Sequence, residues 1–404
     1  MKVAIVGLGY VGLVTAAVLA SHGNEVVGID VDRKKINMLL QGKMPIFEPK
    51  LEEMLKKGAS NLKFSDNFND IDGCVLTYLS VPTPNSNGKI DLKYVFSAAE
   101  EVSKKNRNTT IVIKSTVLPG TAKIVSEITG LRVASNPEFT REGSAVDDTE
   151  RPDRIVIGGR STELIEKLWS FTKAPMVVTT NENAELIKYA SNAFLAVKIS
   201  FINQIADLCE QIPHTDVNVI SEGMGMDKRI GKDFLKAGLG YGGSCFPKDT
   251  VAISSFAMEK GVDMTIVDSA IQYNNLRIKE LVRKVNELSG SVKGKRVCIL
   301  GLSFKDNTDD IRESRSLLLY KELENYGAIV KAYDPVVRNI KDVNVCEDME
   351  ECLDHSEIVI TSTEWNEFSN INEKILKEKM VFDLRRILDQ KVIDLRMGVG
   401  IGKD

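Results

Sequence analysis

The sequence predicts an α/β chain in which two doubly wound domains are joined by a central helical domain with a long spine helix. Three observations carry this. Short β-branched runs alternate with helical patterns through the first half, a long helical stretch free of glycine and proline follows, and strand patterns then return. At 404 residues the chain is too long for one ordinary core, so two or three lobes are expected.

The elements follow in order. KVAIVGL, EVVGID, CVLTYLS, TTIVIKST, RVASNP, RIVIGG and PMVVTT read as strands, and the helical patterns between them imply parallel βαβ units. From about Asn183 to Glu210, apolar residues recur three and four apart, which predicts the spine helix. After the polar segment SGSVKGK, the runs RVCILGL, IVKAYDP, EIVITST and MVFDLR predict a second, smaller α/β lobe. The expected domains are therefore 1–182, 183–290 and 291–404, with a cleft between the α/β lobes as the natural ligand site.

Composition removes several classes of function. The chain is 43% hydrophobic and 27% charged, as in a soluble globular protein, and its net charge of -4 with mixed signs offers no basic field for nucleic acid or a membrane surface. MKVAIVGLGY enters a strand pattern directly and no apolar run approaches the roughly 18 residues of a membrane span, so a cytoplasmic protein is expected. Six scattered cysteines without a CxxC pair, and three dispersed histidines, suggest neither a disulfide framework nor a metal site.

Gly7, Gly9 and Gly12 form GLGYVG, with Tyr10 and Val11 between them, directly after a strand and at the start of a helical run. Such glycines serve a tight turn, backbone approach to a pyrophosphate, and close packing of helix on strand. Asp30 closes the second strand where an acid binds the adenosine ribose, so the first lobe is read as a Rossmann-like NAD-binding domain; a carboxylate there would repel the extra phosphate of NADP. Arg33, Lys34 and Lys35 follow, read as a solvated first helical turn. SVPTP and KSTVLPG lie after further strands; Pro82, Thr83, Ser115 and Thr116 either line the cofactor site or, for the last two, cap a turn.

The stretch GYGGSCFPKDT places Cys245 behind Gly240, Gly242 and Gly243 and ahead of Lys248 and Asp249. A structural cysteine sits in an apolar run, as Cys298 does in VCILG, whereas this setting suits a nucleophile, with glycines leaving amides open to ligand oxygens. An incidental cysteine in a glycine-rich loop is the other reading. Lys188 and Asn192 share a face of the spine helix and serve either to stabilise an oxyanion or to face solvent. Glu138 and Glu142, in NPEFTREG, are a base or substrate clamp, or the start of a helix.

GLGYVG, KSTVLPG, NPEFTREGSAV, KYASN, RIGKDFLKAGLGYGGSCFPKD and FKDNTDDIRES together resemble the UDP-glucose 6-dehydrogenase family of nucleotide-sugar dehydrogenases, from residue 1 to about 386. The resemblance implies two successive oxidations at C6 of a nucleotide sugar, alcohol to aldehyde to carboxylate, with two NAD reduced and a cysteine thioester in the second. It implies Cys245 as nucleophile, Lys188 and Asn192 at oxyanions, Asp249 and Thr116 at a catalytic water, and Glu138 as the base for hydrolysis. The cofactor would meet Gly7, Gly9, Tyr10, Val11, Gly12, Asp30, Lys35, Pro82, Thr83, Ser115, Thr116, Glu142, Lys248 and Arg312. The sugar nucleotide would meet Glu138, Phe139, Glu142, Lys188, Asn192, Phe234, Lys236, Tyr241, Gly242, Phe304, Lys305 and Arg385. Arg229 would reach a neighbouring subunit's site, which implies at least a dimer. Thr140 and Gly238 depart from common family residues beside the sugar contacts. Relatives acting on GDP-mannose or UDP-N-acetylhexosamines, a one-step β-hydroxyacid dehydrogenase and a nucleotide sensor are the rival readings.

Overall fold

The structure is a computed structural model that describes residues 1–86, 88–389 and 395–403. The chain divides into two compact units, Met1–Ser191 and Asn192–Asp404.

In the first unit eight strands form one sheet, in the order Met176–Thr179, Ile155–Gly158, Val133–Ser135, Thr110–Ile113, Leu76–Leu79, Lys2–Val6, Glu25–Ile29, Leu62–Ser65. Val3 and Ile5 pack into one core and Ala4 and Val6 into another, so both faces of the strand Lys2–Val6 are covered. A sheet buried on both faces produces the continuous apolar runs read from the sequence. The order changes direction at Lys2–Val6, between Leu76–Leu79 and Glu25–Ile29, and such a reversal is where ligands bind in doubly wound sheets.

Two details correct the sequence reading. Val133–Ser135 and Ile155–Gly158 pair antiparallel, Ser135 opposite Gly158, so the sheet is not wholly parallel. Their connection carries only the six-residue helix Ala145–Glu150, about 9 Å long at 1.5 Å per residue, which is short for a parallel crossover. The edge strand Leu62–Ser65 had no apolar run to reveal it, because it is only half-buried.

The spine helix spans Asn181–Cys209, two residues earlier than the periodicity indicated. Thr180 starts it, its hydroxyl accepting from Asn183 N at 3.2 Å.

The second unit holds a five-stranded parallel sheet, in the order Ile329–Tyr333, Arg296–Leu300, Ile358–Thr361, Met380–Asp383, Leu395–Gly398. Ile202 on the spine, Leu281 and Val285 on the helix Thr265–Leu288, and Val297 and Ile299 on the strand Arg296–Leu300 share one core. Cys298 and Cys352 form a disulfide with Cα atoms 5.5 Å apart, a pairing that the scattered cysteines did not suggest. Their separation of 54 residues hid the pairing: Cys298 stands alone in the apolar strand RVCIL, and Cys352 in the acidic helix MEECLDH. No helix among the described residues is long and apolar enough to cross a membrane, and no group of three metal-ligating side chains occurs among them.

Candidate active site

The fingerprint glycines have different surroundings. A Cβ on Gly7 would lie 2.6 Å from Ser80 O, and one on Gly12 would lie 1.8 Å from Gly7 O, so these two let backbone meet backbone. A Cβ on Gly9 would meet nothing within 4 Å. Gly9 caps the helix Tyr10–Ser21 without a side-chain bond, and the first turn holds no acid. The amides and the positive end of the dipole therefore face open space, the arrangement a pyrophosphate requires.

Asp30 is buried at the end of its strand. Its Oδ2 accepts from Leu8 N at 2.8 Å and Lys35 Nζ at 2.7 Å, and its Oδ1 from Asp32 N at 2.9 Å. Burial works against ionisation, but the Lys35 ammonium and the two amides outweigh it and hold the carboxyl below its ordinary range. The acid is thus an ionised acceptor beside the fingerprint, as ribose hydroxyls demand. Lys35 is drawn onto Asp30 and is no part of a solvated turn, whereas Arg33 points outward to Asp66. With Lys35 neutralised, the site fits a ribose without an added phosphate.

Thr83 is buried and Pro82 exposed in the SVPTP loop. Ser115 Oγ donates to Val81 O at 2.7 Å, tying the KSTVLPG loop to it, while Thr116 is half-buried. The helix Thr121–Thr129 starts on a carboxylate from elsewhere: Glu185, on the spine, accepts from Gly120 N at 2.7 Å and Ala122 N at 2.9 Å. Glu48 does the same for the NPEFTREG segment, accepting from Gly143 N at 2.7 Å and Ala145 N at 2.8 Å, next to the half-buried Glu142.

Glu138 lies deeper than its sequence suggests. Its Oε1 accepts from Phe139 N and Thr140 N at 2.9 and 2.8 Å, and its Oε2 pairs with Lys114 Nζ at 2.8 Å. Burial again opposes ionisation, but Lys114, the Thr140 amide and the charge of Lys188 prevail and lower its pKa. Lys188 is buried with its ammonium 5.4 Å from the centre of the Phe139 ring, and Arg154 lies 4.0 Å from the same ring. Lys114 and Arg154 were missed by the sequence reading. A lysine ending the apolar strand TTIVIK was the available signal for the first.

In the second unit Cys245 is exposed, in contrast to the buried Cys74, Cys209 and Cys346. It caps the helix Phe246–Glu259, whose first turn carries Pro247, Lys248 and Asp249. Asp249 is fully buried; its Oδ2 accepts from Asn192 Nδ2 at 2.6 Å and its Oδ1 meets Lys248 Nζ. The pair fixes the carboxamide of Asn192 relative to the cysteine helix.

The glycines before the cysteine correct one argument. They were expected to leave space for a ligand, yet the chain's own atoms fill it: a Cβ on Gly240 would lie 2.3 Å from Asn274 Oδ1, one on Gly242 2.4 Å from Glu313 O, and one on Gly243 2.8 Å from the Phe304 ring. Asn274 clamps Tyr241 from both sides, accepting from its N at 2.9 Å and donating to its O at 3.1 Å. Asn203 accepts from Gly238 N, and Arg277 donates to Gly238 O. The loop is therefore a rigid seat for Cys245, held by residues that no motif disclosed.

Around it, Phe234 and Tyr241 pack edge-on to Phe246, and Lys305 lies 5.8 Å from the Phe304 ring centre. Lys236 pairs with Glu364, which also faces Arg385 at 3.8 Å, while Arg385 Nε donates to Ser362 O. Arg312 forks onto Asp310, and the exposed Arg229 pairs with Asp227. Asp334, at the position matching Asp30, is fully buried and saturated by Leu302 N, Ser303 N, Val336 N and Val337 N. That saturation leaves it no free acceptor for a dinucleotide ribose.

A sheet-edge dinucleotide site, an exposed cysteine at a helix start and clusters of buried lysine, carboxylate and amide define an NAD-dependent oxidoreductase. The three domain models of the UDP-glucose/GDP-mannose dehydrogenase family match this chain: the NAD binding domain at residues 1–173, the central domain at 182–276 and the UDP binding domain at 298–390. The chain belongs to that family. It is 41% identical to the UDP-glucose 6-dehydrogenase of Rickettsia typhi, with 97% of each chain covered, and 38% identical to that of Rhizobium meliloti, with 96% of this chain and 95% of the relative covered. A UDP-glucose dehydrogenase structure from Pyrobaculum islandicum matches with a TM-score of 0.93 and 37% identity, covering 99% of this chain and 98% of that one. A UDP-D-ManNAc dehydrogenase from Pyrococcus horikoshii matches at 0.89 and 30% over the full length of both. NAD is the cofactor, and Gly7, Gly9, Gly12 and Asp30 are the residues whose surroundings fit it.

Proposed function

We propose that the chain oxidises C6 of UDP-glucose twice, giving UDP-glucuronate, with the domains 1–182, 183–290 and 291–404 dividing the work. The observation that carries this reading is Cys245, the exposed cysteine on a loop held rigid by Asn203, Asn274 and Arg277. NAD, when bound, accepts a hydride in each oxidation. The C6 alcohol loses a proton as it becomes an aldehyde, with Lys188 stabilising the oxyanion. The Cys245 thiol adds to the aldehyde to give a thiohemiacetal, whose oxidation leaves a thioester. Water attacks that thioester, the sulfur leaves and regains its proton, and the carboxylate is released.

Asn192, oriented by Asp249, donates to the oxyanion of the tetrahedral species. Asp249 and Thr116 hold the water, and Glu138 serves hydrolysis as an ionised carboxylate. Lys236, Phe304, Lys305 and Arg385 take the nucleotide, their cations matching the roughly two negative charges of a diphosphate. Glu142, Lys248 and Arg312 lie toward the cofactor. The enzyme works in the cytoplasm, where its Cys298–Cys352 disulfide is shielded by complete burial.

It acts as a homo-oligomer, at least a dimer, with Arg229 reaching the neighbour's site. Phe194, Phe201 and Leu208 support this, exposed at intervals of seven along the spine helix, together with Val219 and Met226.

Limiting UDP-glucose with excess NAD is expected to yield two NADH per sugar. In Cys245→Ala acid production collapses while the first oxidation persists, so the ratio falls to one or below. A preference for GDP-mannose or a UDP-N-acetylhexosamine would overturn the substrate, and a wild-type ratio of one would overturn the double oxidation.

A further inference from the structure

Lys114 has no part in the roles set out above, yet its surroundings are those of working machinery. It follows the strand Thr110–Ile113 at the edge where the KSTVLPG loop begins, and its side chain is only 5% exposed. Burying an ammonium is unfavourable unless it is paired and hydrogen-bonded. Its partner is Glu138 Oε2 at 2.8 Å, and its Nζ lies 5.1 Å from the centre of the Trp169 ring, which is itself fixed by donation to Tyr78 Oη at 3.0 Å.

Glu138 is 11% exposed and is held at three points, by Lys114 on one oxygen and by the Phe139 and Thr140 amides on the other. The charged groups facing it are Lys114 at the strand end and Lys188 on the spine helix, while Arg154 covers the Phe139 ring beside it. Two buried ammonium groups thus flank one carboxylate. One cation is neutralised, and a net positive charge remains on the side of Lys188.

We propose that Lys114 is a positioning residue: by holding Glu138 ionised and immobile, it leaves Lys188 free to meet the oxyanions of the reaction. This rests on the reading of Lys188 and Glu138 given above. It accounts for why a lysine ends the strand, since without it Lys188 would be the nearest cation and would collapse onto the carboxylate.

The test compares wild type, Lys114→Met, Lys114→Arg, Glu138→Gln and the double variant Lys114→Met/Glu138→Gln. In Lys114→Met, kcat falls by about tenfold or more while both KM values stay within about twofold, and the acid limb of kcat moves up by roughly 1–3 pH units, the usual effect of removing an opposite charge. Lys114→Arg restores the limb. The double variant matches Glu138→Gln, because both changes act on one unit.

Should the single variant fail to fold, the double variant, which removes Lys114 and its Glu138 partner together, carries the comparison. A kcat several-fold below that of Glu138→Gln would then overturn the proposal, as would an unmoved acid limb in a folded Lys114→Met. Carboxyl NMR of glutamate-labelled protein, with the Glu138 signal identified by its loss in Glu138→Gln, reads the same shift without substrate. Failure of the dehydrogenase reading therefore shows in the wild-type turnover, and failure of this inference in the carboxyl signal.

Discussion

Glu185 shows how a single side chain can be chemically prominent and still escape the sequence. Burial drives its carboxyl up to about 7 from an ordinary 4.5, even though Gly120 N, Ala122 N and Ser135 Oγ favour the ionised form. A folded-state pKa above the unfolded one means the native protein holds the extra proton. The associated stability is complete below pH 4.5 and is lost as the pH rises through about 7. Glu185→Gln removes this titration while keeping one acceptor for the two amides, so the decline between about pH 4.5 and 7 flattens. Melting temperatures of both proteins across that range check it, and parallel curves would contradict it. In sequence Glu185 is one polar residue on a helix; the amides it anchors lie more than 60 residues away. Lys188, three residues on, was singled out by the KYASN motif, and Cys245 by neighbours unlike the apolar run of a core cysteine; the structure buries the first and exposes the second.

At the scale of elements, the strand–loop–helix unit around GLGYVG was legible almost completely, because each glycine answers a local requirement. Gly12 and Gly9 separate stability from binding. Ala at Gly12 places its Cβ 1.8 Å from Gly7 O, so Gly12→Ala displaces the helix from the strand and is expected to be destabilising by about 2 kcal/mol or more. Ala at Gly9 meets open space and the position has an ordinary φ of -76°, so Gly9→Ala keeps the wild-type melting temperature. Its methyl group stands where a pyrophosphate must approach, and NAD affinity falls by about tenfold or more, as a loss of roughly 1.4 kcal/mol implies. Calorimetric melting and NAD titration of the two variants separate these effects; equal loss of stability in both would refute the assignment. The cysteine loop was legible as a place where an exposed cysteine meets a helix start, but not in its packing. The contacts that decide it come from Asn274, Glu313 and Phe304, distant in sequence. The reversed strand Ile155–Gly158 escaped because an apolar run carries no direction.

For the whole molecule, the two α/β sheets and the spine helix were readable because period and composition change at their boundaries. Assembly is a different matter, since an exposed apolar side chain reads like a buried one in sequence. Phe194 and Phe201 are 65% and 45% exposed, and Leu208, Val219 and Met226 are more than half exposed. An interval of seven residues keeps Phe194, Phe201 and Leu208 on one stripe of their helix, the pattern by which helices pair. Leaving such a stripe in water is unfavourable by about 25 cal/mol per Å², so a second copy of the chain is the expected cover. Charges placed there should prevent it. Phe194→Asp/Phe201→Asp is expected to run at the mass of one chain in light scattering where the wild type runs at two or more. The fingerprint lies in the other unit, so NAD affinity stays unchanged. Turnover falls, because the proposed Arg229 contact comes from a neighbour, and Arg229→Ala should lower turnover without lowering the mass. A double-aspartate variant with wild-type mass would remove this helix from the interface, and a fully active single chain would remove Arg229 from its neighbour's site.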